Sequence, residues 1–188
     1  MTTVIGISGS LRAGSLNSAL LRAATELAPA GLTVETGSIK DIPLYDGDVE
    51  EKEGIPPAVA ALKDRIAAAD GLLLASPEYN NGVPGVLKNA IDWMSRPGAD
   101  IKRVFGDRPV GVIGASGGPG GTRLSQVAWL PTLRLLGMNF FSGKSVFVAT
   151  GQNLIQDGRL TDAKTLEVVK GYMAAFAAFV DRIKGGSR

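Results

Sequence analysis

Two stretches of this chain are apolar at every position rather than at every second one. Gly71-Leu72-Leu73-Leu74-Ala75-Ser76 and Val110-Gly111-Val112-Ile113-Gly114-Ala115 are each bounded by turn-forming residues. A strand with one face in water alternates apolar and polar side chains, so an unbroken apolar run describes a strand buried on both faces. That is the condition of a parallel sheet covered by helices on either side. Val4, Ile5 and Ile7 read as a third buried strand.

The intervening segments complete an alternation of strand and helix. Helices are predicted over Ser18 to Leu27, Pro57 to Ala69, Val86 to Met94, Arg123 to Leu136 and Asp162 to Lys184, with Gly185 to Arg188 as a frayed tail. Pro131 should break or kink the fourth of these. Leu32 to Ser38 alternates and is more polar than the other strands, which suits a sheet edge, and Asn139 to Val148 holds the last strand. Lys63, Asp64 and Arg65 are expected to face water, and Lys88 and Asp92 to pair at i, i+4. Ile39 to Pro56, with its acidic residues Asp46, Asp48, Glu50, Glu51 and Glu53, reads as a long solvated loop. Trp93 reads as core packing rather than ligand stacking.

Five strand-helix alternations in 188 residues with 45% hydrophobic content describe one α/β domain over residues 1–188. The expected architecture is a five-stranded parallel sheet of order 2-1-3-4-5 with helices on both faces. Its switch point lies between the first and third strands, so a ligand belongs at their carboxyl ends.

Three unusual loops meet there. Gly6 to Asn17, Gly-Ile-Ser-Gly-Ser-Leu-Arg-Ala-Gly-Ser-Leu-Asn, leads from a strand into a helix and carries three hydroxyls, Arg12 and Asn17. A helix N-terminus offers unpaired N–H donors and about half a positive charge, so this loop suits a single phosphate group; the plainer alternative is that Ser15 or Asn17 only caps the helix. Gly9 and Gly14 have Walker A spacing, but Ser15-Leu16 stands where Lys-Ser/Thr is required, which argues against a nucleoside triphosphate. The second loop is Pro77 to Gly85, and the third is Ser116-Gly117-Gly118-Pro119-Gly120-Gly121-Thr122. A flat heteroaromatic bearing one phosphate would use all three, a description that fits flavin mononucleotide (FMN).

The chain contains neither His nor Cys, which removes the Ser-His-Asp triad, the Cys-His dyad and the usual zinc ligand sets. No metal site and no catalytic side chain is expected; the chemistry falls to a cofactor. A net charge of +2, from 20 basic and 18 acidic residues without a basic cluster, gives no sign of a nucleic-acid partner. No leader-like start and no run of bilayer-spanning length is present, so the expectation is a cytoplasmic protein without a membrane partner.

Gly9-Ser10-Leu11-Arg12-Ala13-Gly14-Ser15-Leu16-Asn17 resembles the G-S-L-R-x-x-S-x-N phosphate loop of the NAD(P)H-dependent FMN reductases. Pro77-Glu78-Tyr79-Asn80-Asn81-Gly82-Val83-Pro84-Gly85-Val86-Leu87-Lys88-Asn89-Ala90-Ile91-Asp92-Trp93 is similar to the same family's P-E-Y-N-x-[SG]-x-P-G-x-L-K-N-A-[IL]-D-W segment. The resemblance implies a flavodoxin-like fold, bound FMN, and two-electron transfer from NADPH or NADH by a ping-pong cycle to a small-molecule acceptor. Quinones, chromate, ferric complexes, azo compounds and free flavin are the acceptor classes it suggests, and a homodimer or homotetramer the assembly. By position, Ser10, Arg12, Ser15, Leu16 and Asn17 would hold the phosphate. Pro77, Glu78, Tyr79, Asn80 and Gly82 would line the ring and ribityl side, and Ser116, Gly117 and Gly118 correspond to the third flavin loop. A flavodoxin-type electron carrier is the alternative; it is disfavoured by the slightly basic charge and by the lack of a Thr-rich phosphate loop. The choice between NADPH and NADH stays open: Arg96, Arg123 and Lys102 are cations that could contact a 2′-phosphate, and each reads equally as a solvated surface charge.

Overall fold

A computed structural model describes residues 1–186; the last two positions of the expected frayed tail lie outside the described residues. In chain order the elements are β1 (Thr2–Ser8), α1 (Leu16–Glu26), β2 (Leu32–Gly37), α2 (Gly47–Glu53), α3 (Pro57–Ala68), β3 (Gly71–Ala75), α4 (Gly85–Met94), α5 (Ile101–Val104), β4 (Pro109–Ala115), α6 (Arg123–Leu135), β5 (Asn139–Phe140), β6 (Phe147–Val148), β7 (Ile155–Gln156), β8 (Arg159–Leu160) and α7 (Ala163–Gly186). The main sheet runs β2-β1-β3-β4-β5, with β6 also on β4, and all of its pairings are parallel. The strand order reverses between β1 and β3, as expected.

The unbroken apolar runs have their physical cause in this layering. Every residue of β3 and β4 is buried. Side chains alternate across the sheet. Leu72 and Leu74 join Ile5, Ile7, Ile66, Leu87 and Trp93 on one face, while Leu73, Ile113 and Ala115 meet Leu20, Val169, Tyr172 and Phe176 on the other. Trp93 is core, as expected, and its indole N–H donates to the Pro43 carbonyl at 2.9 Å. Lys88 and Asp92 pair at 2.7 Å. Among the described residues no helix is long and apolar enough to cross a membrane.

Four expectations are corrected. The acidic connection after β2 contains α2, capped by the Asp46 carboxylate, which accepts from the Asp48 N–H at 2.9 Å. Asp46, Asp48 and Glu50 stand at the positive end of a helix dipole rather than in a featureless loop, while Glu51 and Glu53 lie toward its other end. Lys63 does not face water: its side chain is 3% exposed and forms an ion pair with Asp100 at 2.7 Å while donating to the Arg96 carbonyl. A buried ammonium is tolerated only when paired, and Asp100, brought in from the segment after α4, pairs it. Helix α6 runs on through Pro131, because the carbonyl deprived of a donor belongs to Val127, which is exposed to water. The last strand is split in two: from Val110 to Gly114 β4 advances four residues, while its neighbour from Phe140 to Phe147 advances seven. Phe141 is held in the core by ring contacts with Tyr172, Phe176 and Phe179, and the extra residues loop out beyond it. The hairpin β7–β8 was not anticipated.

Candidate functional site

The carboxyl ends of β1 and β3 stand level, with Ser8 beside Ala75, and β4 runs two residues past Ile113, which stands beside Ala75. From that edge emerge the Gly9–Ser15, Ser76–Pro84 and Ser116–Thr122 loops. The topology therefore brings the three sequence-predicted loops to one place.

The first loop is built to leave donors open. The Ser15 side chain accepts from the Ser18 N–H at 3.1 Å and so caps α1, as the plainer reading of this residue held. The N–H groups of Leu16 and Asn17, in the first turn, have no intrahelical acceptor. That first turn carries no acidic residue, whereas the first turn of α2 carries Asp48 and Glu50. Arg12 is exposed and, among the described residues, forms no ion pair. A cation that pairs with no carboxylate among the described residues, beside a helix start whose first turn carries no acid, is an electrostatically incomplete arrangement. A phosphate completes it.

Asn17 plays a different part from the one its position suggested. The residue is 3% exposed, and its carboxamide donates to the Ala115 carbonyl at 2.9 Å and accepts from the Ala115 N–H at 2.9 Å. The N–H groups of Gly114 and Ser116 point to the β6 side, so those of Ala115 point toward β3, whose last pairing is Ala75 with Ile113. Beyond it the chain turns away at Pro77, and Asn17 supplies both missing hydrogen-bond partners. What Asn17 keeps for a ligand is its backbone N–H.

The second loop is also fastened from behind. The Glu78 carboxylate accepts from the Ser125 N–H at 2.9 Å, the Ser125 hydroxyl donates to the Pro77 carbonyl at 2.9 Å, and the Trp129 indole donates to the Ser76 hydroxyl at 2.8 Å. Pro77 and Glu78 thus anchor the first turns of α6. Asn80 and Asn81 have φ of 50° and 62°, and Tyr79 and Gly82 exchange backbone hydrogen bonds across them, a two-residue type I′ reversal. This presents the Tyr79 ring, 45% exposed, and the exposed Asn80 at the tip. Gly9 lies where the first two loops touch: a Cβ there would stand 2.9 Å from both Leu87 Cδ2 and Pro77 Cδ.

The third loop is pinned by a segment that sequence reading passed over. The Gly151 N–H donates to the Ser116 carbonyl at 2.9 Å and the Thr150 N–H to the Gly118 carbonyl at 3.0 Å. Thr150, at φ 47°, is held in the left-handed region. A Thr-Gly pair immediately after the last strand was the available signal. Gly117 and Gly118 are exposed and Ser116 is half-buried.

Of the cations considered for a second phosphate, two are at the wrong end of the molecule. Arg96 lies beyond the far end of α4, about 15 Å from that helix's start, and donates to Glu50 at 2.9 Å, a bond that holds the Glu50 carboxyl below its ordinary value. Lys102 lines a surface depression with Asp107 and Gly137, beside the start of β4. Arg123 is at the site edge, over the Phe147 ring at 5.0 Å.

The arrangement fits a planar group with one phosphate: open N–H donors, hydroxyls and Arg12 at one end, Tyr79 and the glycine-rich backbone at the other. Comparison with known proteins agrees. Residues 2–153 match the family model described as NADPH-dependent FMN reductase. The chain is 43% identical to an NAD(P)H-dependent FMN reductase of Pseudomonas aeruginosa over 97% of each chain, and 39% identical to a quinone reductase of Escherichia coli K12 over 96% of each. Among solved structures, the flavoenzyme NAD(P)H:acceptor oxidoreductase FerB of Paracoccus denitrificans superposes with a TM-score of 0.86 at 33% identity, covering 97% of this chain and 98% of that one.

Proposed function

The chain belongs to the NADPH-dependent FMN reductase family, and from that premise we propose that it passes two electrons from NADPH or NADH to quinones, in a ping-pong cycle at the edge formed by β1, β3 and β4. It is an FMN-using NAD(P)H:acceptor oxidoreductase. Quinones are favoured as acceptors by the quinone reductases among its relatives; chromate, ferric complexes, azo compounds and free flavin are further acceptors under the same proposal. A cytoplasmic homodimer or homotetramer completes the reading.

The observation that carries the assignment to this edge is the phosphate-ready end of α1, where two open N–H groups stand in a first turn without an acid and Arg12 forms no ion pair among the described residues. Bound FMN supplies the redox chemistry, two-electron transfer between a reduced nicotinamide and an acceptor. The chain's own residues bind and position. Arg12, the Ser10 hydroxyl and the Leu16 and Asn17 N–H groups hold the phosphate. Tyr79, Asn80 and Gly82 frame the ring side from a rigid reversal, and the backbone of Ser116, Gly117 and Gly118 approaches from the third loop. Pro77, Glu78 and the Asn17 side chain keep these loops in register.

The test is the visible spectrum of the purified holoenzyme under anaerobic conditions, with NADPH or NADH and then a quinone. Bleaching by a nucleotide and recovery with the quinone is the expected result. A flavin spectrum that neither nucleotide bleaches refutes the reductase reading.

A further inference from the structure

A second polar recess lies on the other flank of the phosphate loop, between the carboxyl ends of β1 and β2. Its volume is about 220 Å³, and its polar lining comprises Ser8, Ser10, Ser18, Thr36, Ser38 and Lys40. Ser15, Leu16 and Asn17, the residues at the helix end, are not part of it. No carboxylate lines it.

The hydrogen-bond account of these hydroxyls is one-sided. The Ser8 oxygen accepts from the Ser18 hydroxyl at 2.9 Å, the Ser10 oxygen from the Arg12 N–H at 3.4 Å, and the Ser38 oxygen from the Lys40 N–H at 3.2 Å. Each of these three oxygens accepts one bond from the protein and keeps its own hydrogen to donate, beside one further lone pair. Add the Lys40 ammonium, which makes no ion pair among the described residues, and the recess presents donors and a cation. Such a set selects an oxyanion with several acceptor oxygens. The backbone carrying Lys40 is fixed by the buried Ile39 and by an Ile42 N–H to Ile39 carbonyl bond.

We propose that this recess binds the 2′-phosphate of NADPH and that Lys40, with the Ser38 hydroxyl, makes the enzyme favour NADPH over NADH. The proposal rests on the reductase reading above. Neighbouring strands lie about 4.8 Å apart, so the recess stands roughly 10 Å from the β3–β4 edge where the nicotinamide must reach the flavin. A dinucleotide, whose two nucleosides are joined through a pyrophosphate, bridges that separation. The recess also takes over the role considered for Arg96 and Lys102, which the fold places elsewhere.

The experiment uses the holoenzyme and its Lys40→Ala variant. Calorimetric titration with adenosine 2′,5′-bisphosphate and with adenosine 5′-monophosphate isolates the 2′-phosphate. Wild type should bind the bisphosphate about tenfold more tightly, and the variant should lose that difference, since a charge-assisted contact in a partly exposed site is worth about 1.4 kcal/mol. In steady-state assays with a quinone, the variant's KM for NADPH should rise about tenfold and its KM for NADH should change less than twofold. Equal bisphosphate affinity in the two proteins, or an equal loss for both nucleotides, overturns the proposal. So does loss of FMN from the variant, which would assign the recess to the flavin. A wild-type holoenzyme that neither nucleotide reduces refutes the reductase reading instead, independently of Lys40.

Discussion

Replacing Asn17 with Leu removes the carboxamide while keeping a side chain of similar size, and so isolates its hydrogen bonding from its volume. The Ala115 N–H and carbonyl then lose their partners in a buried position 2% exposed to solvent. A buried peptide group left unsatisfied costs about 1–3 kcal/mol, so the pair costs about 2–6 kcal/mol. The half-buried Ser116 lies next to it, and water entry there favours the lower half of that range, about 3 kcal/mol. For a chain of 188 residues, 1 kcal/mol moves Tm by roughly 2–4 °C, so the variant should melt roughly 6–12 °C lower. The measurement belongs on flavin-free protein, because excess FMN stabilises the folded state by mass action and would mask the loss. FMN affinity should fall as well, since the N-terminal turn of α1 is no longer tied to β4. An apoprotein that melts within about 2 °C of wild type refutes the bracing role and returns the Asn17 side chain to the ligand.

Gly114→Ala places a methyl group inside contact distance of Thr122 Oγ1 and the Ser76 carbonyl; with backbone on one side the cost should be at least about 3 kcal/mol by chemical unfolding, and an unchanged midpoint contradicts the packing. Arg12→Ala should weaken FMN binding about tenfold in a flavin fluorescence titration while leaving the apoprotein Tm within about 2 °C, because the Arg12 side chain makes no hydrogen bond or ion pair among the described residues and its backbone contacts survive the change; unchanged affinity removes Arg12 from the phosphate site. The Asp100 carboxyl is held at about 2, below its ordinary 3.8, first by Arg103 and then by Lys63. A carboxyl whose folded value is depressed stabilises fully above its unfolded value and loses that contribution as pH falls through the folded one. The stability gap between wild type and Asp100→Asn should therefore be constant above about pH 5 and close between about pH 4 and pH 2, read from urea midpoints.

The layout of this fold was legible because burial on both faces leaves a mark that needs no partner to interpret. Leu72, Leu73 and Leu74 announce a central strand by themselves. What stayed hidden depends on partners far away in sequence. Lys63 on α3 reads as a surface charge until Asp100 arrives from beyond α4, and the two-part edge strand follows from its register against β4, which the residues of 139–148 do not record by themselves. The signals for α2 were present in Asp46 and the acids that follow it, yet the same residues describe a solvated loop equally well. At the candidate site, motif positions pointed to three loops that the fold brings together, without distinguishing atoms left open to a ligand from those that hold the loops. Asn17 and Glu78 are the clearest cases: both side chains are spent on the protein.

That division has a chemical consequence. Loops braced against one another by buried contacts are ordered before a ligand arrives, so less conformational entropy is lost on binding. The bracing also consumes titratable groups. Across the three loops the ionisable side chains are Arg12, Glu78 and Tyr79; Glu78 accepts from the Ser125 N–H, and an arginine stays protonated at any working pH. With Glu78 engaged in this way, what the three loops hold out at this edge is the Arg12 charge, the exposed Tyr79 and open backbone donors, so the chain's own contribution there is position and charge.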